Sequence, residues 1–155
     1  MTTDTMKLKD YHKSITVNIS AREALDYINR VSEWRATNFK GNSEKLDDIF
    51  TVRFGKTFVT FKIIEFLPDK KVVWLVTDCF LDWLKNKKEW KDTKINWEIS
   101  TNKSAQQISM THIGLVPGIE CYNDCEKGWN FYVGESLLKL ITQQKGVPDT
   151  PIRQH

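Results

Sequence analysis

Apolar and polar positions alternate with a period of two through most of the chain, giving way to helical spacing once near the start and once near the end. In residues 14–19, Ile15, Val17 and Ile19 alternate with polar side chains, as in a half-buried strand. Ser20 follows, with Glu23 three positions on, a pairing that predicts a capping box and a helix start. Ala24, Leu25, Ile28 and Val31 continue at helical spacing, so this helix is expected to end near residues 32–34. Residues 35–46 contain Gly41, Asn42 and Ser43 and read as an irregular connection.

Residues 49–113 read as strands. Phe50, Val52 and Phe54 alternate up to Gly55-Lys56, and Val59, Phe61 and Ile63 alternate away from it. A two-residue turn with Gly first predicts a type II′ hairpin, with Val52 opposite Val59 and Phe50 opposite Phe61. Pro68-Asp69 interrupts the run, and a strand is expected from 72 to 80. Residues 81–92 are charged, with Trp83, Leu84 and Trp90 interleaved, and form a long excursion. Ile95, Trp97 and Ile99 mark the next strand, Asn102-Lys103-Ser104 turns the chain, and Ile108, Met110 and His112 share one face of the last strand. After Pro117-Gly118 the period becomes helical. Cys121, Tyr122, Cys125, Trp129, Tyr132, Val133, Ser136, Leu137, Leu140 and Ile141 form one stripe on a helix of about 20 residues, or ~30 Å. Gly146-Val147-Pro148 stops it, ahead of a frayed tail.

This order predicts an α+β protein: a curved antiparallel β-sheet wrapped around a long C-terminal α-helix, with a short N-terminal helical segment. The 155 residues suit a single domain, 1–155, with its core at about 11–146 between polar tails. Composition narrows the function classes. The 23 Lys+Arg against 20 Asp+Glu leave +3, too small and too scattered for a nucleic-acid surface. No apolar run reaches the ~18 residues of a membrane span, and the polar N-terminus lacks a signal peptide's apolar stretch. An odd three Cys with no C-x-x-C argues against a disulfide scaffold and for a reducing compartment, so the cytoplasm is the expected location. Six Trp need a large core or a cavity to line.

One group of segments resembles a known family. These are Lys88-Glu89-Trp90, Thr93-Lys94, Trp97-Glu98-Ile99, the run from Thr111 to Pro117, Glu120-Cys121-Tyr122, Cys125, Gly128-Trp129, Ser136-Leu137 and Gly146 to Pro148. Together with the element order they resemble the START-like (SRPBCC, helix-grip) superfamily, and within it the group named for the activator of Hsp90 ATPase, homologue 1. The resemblance covers roughly residues 14–148. It implies a helix-grip fold with a cavity between sheet and long helix, used across the superfamily for lipids, sterols, polyketides and other apolar ligands. By analogy with the group's namesake it also raises a chaperone-associated interaction module. Oligomeric state stays open.

The expected function is therefore binding of an apolar or amphipathic small molecule, lipid-like or aromatic, with no cofactor and no metal. The expected walls are Trp34, Phe50, Phe61, Trp74, Trp97, Met110, Trp129 and Tyr132, because aromatic rings bury much area and stack flat ligands. His112, Tyr122 and Trp129 are the expected polar orienting groups. An inward imidazole has two readings, a hydrogen-bonded core group or an acid–base group acting with Asp78 or Glu65 as in cyclase-like enzymes of the superfamily. Cys121 and Cys125, one helical turn apart, are two corners of a zinc tetrahedron at most, or buried thiols. Lys residues interleaved with Trp90 admit a single-stranded nucleic acid reading, which Asp82, Glu89 and Asp92 dilute. A loop whose Trp residues cover the cavity mouth is the simpler reading. Phosphate-loop, nucleophile-elbow and zinc-protease motifs are missing.

Overall fold

The computed structural model describes residues 9–150. The expectations for the polar N-terminal segment, the end of the tail and His155 lie outside the described residues. Strand β1 (Tyr11–Val17) leads to α1 (Ala21–Asn29), α2 (Val31–Trp34) and β2 (Phe39–Gly41). Strands β3 (Ile49–Phe54), β4 (Thr57–Leu67), β5 (Lys71–Phe80), β6 (Lys94–Asn102) and β7 (Ala105–Ile113) follow. The C-terminal helix comprises α3 (Tyr122–Phe131), a π-helical segment (Tyr132–Leu137) and α4 (Leu138–Gln143). It spans 22 residues in all. The seven strands form one antiparallel sheet in the order β1-β7-β6-β5-β4-β3-β2.

Local chemistry accounts for the starts and turns. The Ser20 hydroxyl accepts from the Glu23 N–H at 3.1 Å, while the Glu23 carboxylate accepts from the Ser20 N–H at 3.0 Å, closing the capping box. Hairpin β3–β4 has the register its side chains dictate, Phe50 opposite Phe61 and Val52 opposite Val59. Gly55 sits at φ 63 as the first turn residue while Lys56 is not left-handed, which is the type II′ pattern. Two expectations need correction. The N-terminal helix breaks at Arg30 into α1 and a single turn, α2. The supposed irregular stretch after residue 35 contains the short edge strand β2, which pairs with β3 through Phe39 opposite Val52.

The inner face of the sheet and the long helix meet over a ring-rich core. Trp34 packs edge-on to Trp97 at 5.6 Å between centroids, Phe50 edge-on to Trp74 at 5.1 Å, and Trp74 against Trp97 at 5.3 Å. Trp34, Phe50, Trp74, Trp97 and Met110 are fully buried. Each large ring excludes enough water for its burial to outweigh its ordering entropy. These rings lie in contact with one another between sheet and helix.

A short strap fixes one end of the helix to α2. The buried Ser136 hydroxyl donates to the Trp34 carbonyl and accepts from the Val147 N–H, both at 2.7 Å. Gly146 passes so close that a Cβ there would lie 2.5 Å from the Glu33 carbonyl oxygen, so no larger residue fits without backbone movement. Asp149 then donates its N–H to the Arg35 carbonyl and accepts from the Thr37 N–H. Arg35 is held by backbone on both sides of its own position.

Candidate functional site

A cavity lies to one side of the aromatic core, where the end of hairpin β3–β4, loop 81–93 and helix α3 converge. It has a volume of about 170 Å³ and is lined by Phe54, Val59, Leu81, Trp90, Cys125, Gly128, Trp129 and Tyr132, with Arg35, Trp83 and Asp124. For scale, an apolar hole of ~150 Å³ holds a benzene ring. Asp124 and Trp83 are exposed, which places the mouth beside them, and the Trp83 indole N–H donates to the Asp124 carboxylate at 3.1 Å. Deeper in, Trp90 and Trp129 lie parallel, 6.1 Å apart and 5° from coplanar orientation.

Loop 81–93 is tied to the start of the helix by carboxylates. Glu120 accepts from the Lys85 and Asn86 N–H groups, and Glu89 accepts from the Cys121 N–H at 2.9 Å. These are charge-assisted bonds to backbone donors, two in the loop and one at the cap of α3. The Trp90 indole N–H reaches the Cys121 sulfur at 3.3 Å. In this way a strongly charged segment covers the cavity with Trp90.

On the helix, the stripe expected from the sequence has a gap at Gly128. A Cβ built there meets nothing within 4 Å. A helix-interior glycine costs about 0.5–1 kcal/mol relative to alanine, and here it leaves the space between Cys125, Trp129 and loop 81–93 open. One turn further on, the π-helical segment begins at Tyr132, a cavity-lining residue. Such insertions cluster at functional sites because they re-aim side chains without ending the helix.

His112 is buried behind this cavity and does not line it. The Trp129 indole N–H donates to His112 Nδ1 at 3.1 Å, so that nitrogen is the acceptor. The proton then lies on Nε2, which donates to Thr93 Oγ1 at 2.9 Å, and the Thr93 hydroxyl donates to the Trp90 carbonyl at 2.6 Å. Trp90 also packs edge-on against the imidazole at 4.6 Å. Burial pushes the His112 pKa down from 6.5 to about 3. Both imidazole nitrogens, the Trp129 indole N–H and the Thr93 hydroxyl all have partners, which suits a neutral structural imidazole that orients Trp129 and Trp90.

Neither proposed carboxylate partner reaches it. Glu65 pairs with Lys71 at 3.6 Å and Asp78 with Lys88 at 2.8 Å, both on partly exposed side chains. Hydrogen bonds from Lys88 and from the Cys79 N–H hold the Asp78 carboxyl below its ordinary range. Of the ten residues expected to contact a ligand, Trp129 and Tyr132 line the cavity. Trp34, Phe50, Phe61, Trp74, Trp97 and Met110 belong to the buried core, His112 to the buried hydrogen-bonded relay, and the Tyr122 hydroxyl bonds Glu126 at 3.3 Å.

No family model matches the chain, and no curated protein matches it in sequence. Solved structures do. It is similar to the Aha1 dimer from Colwellia psychrerythraea, at 18% identity and TM-score 0.72 over 88% of this chain and 98% of that one. The fold is the helix grip. DynU16, from the dynemicin biosynthetic locus, shares it at 14% identity and TM-score 0.62, over 87% of this chain and 48% of that one. CalU16 from Micromonospora echinospora does so at 11% identity and TM-score 0.61, over 88% and 78%. Within this helix grip, Cys79, Cys121 and Cys125 are all free, buried thiols. Hydrogen bonding with Cys121 and burial push the Cys125 thiol well up, away from thiolate chemistry. Among the described residues, no three His, Cys, Asp or Glu gather as a metal site would need, and no helix is long and apolar enough to cross a membrane.

Sequence reasoning missed Arg35, Phe54, Val59, Leu81, Asp124 and Gly128 as cavity residues. Only Gly128 carried a signal, a glycine inside an otherwise buried helical stripe. Arg35 is contributed by the chain just after α2, and nothing in local periodicity marks it.

Proposed function

We propose that this helix-grip protein binds a small apolar or amphipathic molecule, one or two rings in size, in the cavity beside helix α3. The observation that carries this reading is the unfilled space at Gly128, walled by Leu81, Val59, Phe54, Trp90 and Trp129 and polar only at its two ends. Apolar area removed from water supplies ~25 cal/mol per Å² before the costs of association. Five aromatic side chains favour a flat ligand. The likeness to DynU16, CalU16 and the Aha1 dimer supports the architecture; occupancy rests on the chemistry of these walls.

Acid–base turnover by His112 with Asp78 or Glu65 draws no support from the geometry, since the imidazole is enclosed and both carboxylates pair with lysines on the sheet's outer side. A chaperone-associated role rests on fold likeness alone.

Titration with naphthamide, a neutral two-ring probe, tests the reading. Saturable one-to-one binding is expected, weakened at least tenfold by Gly128→Leu, whose side chain enters the cavity. No binding, or equal binding by the variant, contradicts it.

A further inference from the structure

Arg35 is a half-buried residue that lines the cavity beside Tyr132, away from Asp124. It lies over two aromatic rings, 4.6 Å from the centroid of Phe54 and 4.1 Å from that of Tyr132. Ring contacts favour the cation but take none of its five N–H donors. The ion pairs among the described residues are Lys62–Asp47, Lys71–Glu65 and Lys88–Asp78, and none involves Arg35. Burial lowers the guanidinium pKa, with Tyr132, Asp149 and Cys125 opposing that shift. An arginine stays charged in such a setting, so a partly desolvated cation lines the cavity, with Asp149 as its acidic neighbour and no side-chain hydrogen bond or ion pair of its own among the described residues.

The other end has the opposite sign. Asp124 stands at the mouth, eight residues before Tyr132 on the same helix, which is ~12 Å along its axis. Between the two charges the walls are apolar. An anion is therefore disfavoured at the mouth and favoured at the Arg35 end, and an apolar body attached to it would lie on Trp90 and Trp129.

Resting on the binding function proposed above, we propose that the preferred ligand is a small aromatic carboxylate, its head group paired with Arg35 and its ring system in the Gly128 space. A planar carboxylate matches the planar guanidinium in a two-pronged contact, which a neutral amide cannot reproduce.

Calorimetric titration with naphthoate and naphthamide, which share one ring system, separates the two levels of the proposal. Naphthoate is expected to bind about tenfold more tightly than naphthamide, as for a hydrogen-bonded charge pair in a partly desolvated site. In Arg35→Gln the ratio is expected to fall to about one. Gly128→Leu is expected to weaken both probes together. Equal affinity of the two probes for the unmodified protein overturns the anion preference and leaves the cavity reading standing, a comparison that needs no variant to fold. Failure of both probes to bind overturns both. Naphthoate preference that persists in Arg35→Gln overturns the assignment to Arg35, and unchanged affinity of both probes in Gly128→Leu overturns the assignment to this cavity.

Discussion

A neutral imidazole held between an indole N–H and a threonine hydroxyl ties the stability of this protein to pH. His112 has its pKa depressed from 6.5 to about 3 in the folded state, so between those values the unfolded chain binds a proton that the native chain does not. Stability is then full above about pH 6.5 and falls as pH drops toward 3, with a limiting slope of ~1.4 kcal/mol per pH unit. Glu23, Asp78 and Glu120 also have lowered values, and their contribution too is lost as pH falls, but below the ordinary carboxylate range. The window from pH 6.5 to 5 isolates His112. Denaturant melts there are expected to slope in the unmodified protein and to flatten in His112→Gln, whose amide keeps one donor and one acceptor. Equal slopes would mean that the imidazole is not the sealed group described. At Ser136 the expected effect is simpler. Ser136→Ala strips a donor from the Trp34 carbonyl and an acceptor from the Val147 N–H, and a loss of about 2 kcal/mol in chemical denaturation is expected. A change below about 0.5 kcal/mol would contradict the strap.

At the level of elements, two β-bulges decide what the sheet presents to the interior. Strict alternation in β4 puts Glu65 on the face of Phe61 and Ile63, and in β5 puts Asp78 on the face of Trp74 and Val76. The register between these strands shifts between Ile63 and Glu65 and again between Thr60 and Phe61. At the first shift Ile64 is the extra residue, and Glu65 turns outward to Lys71. At the second Thr77 is the extra residue, so Asp78 turns outward to Lys88 and Cys79 takes the buried side. A bulge adds one residue to one strand and reverses the facing of everything beyond it. No Gly or Pro at either position announced it, which is why both carboxylates looked inward from the sequence. Exposed ion pairs of this kind contribute about 0–1 kcal/mol. Glu65→Gln and Asp78→Asn are accordingly expected to leave naphthamide affinity unchanged and stability within that range. A tenfold loss of affinity in either would return those groups to the interior.

Across the whole molecule, the parts of the fold that follow from repeating local rules were legible in advance. The capping box at Ser20, the Gly55-Lys56 hairpin and the long C-terminal stripe all rest on interactions within a few residues or across one turn. The inward face of β7 was legible for the same reason, and His112 is buried as its neighbours Ile108 and Met110 required. The location of the empty space was not legible. Six large side chains on the right face gave an expectation of a cavity among them; all six are buried, and the cavity at Gly128 lies to one side of them. Its position depends on relative helix and sheet placement, which single-strand periodicity does not encode. Arg35 reaches the cavity only because the strap through Ser136, Gly146 and Asp149 fixes the turn that carries it, a contact across more than a hundred residues. Gly128 couples the two scales, since its missing side chain is both a helix penalty and the opening of the site. Gly128→Ala is expected to raise stability by about 0.5–1 kcal/mol, as nothing lies within 4 Å of the added methyl. The occupant itself is observable most directly in crystals soaked with iodobenzoate, whose iodine scatters anomalously. Anomalous density enclosed by Trp90, Trp129 and Tyr132, with the carboxylate at Arg35, is the expected result; a fully exposed cavity with iodine bound only at the outer surface would contradict it.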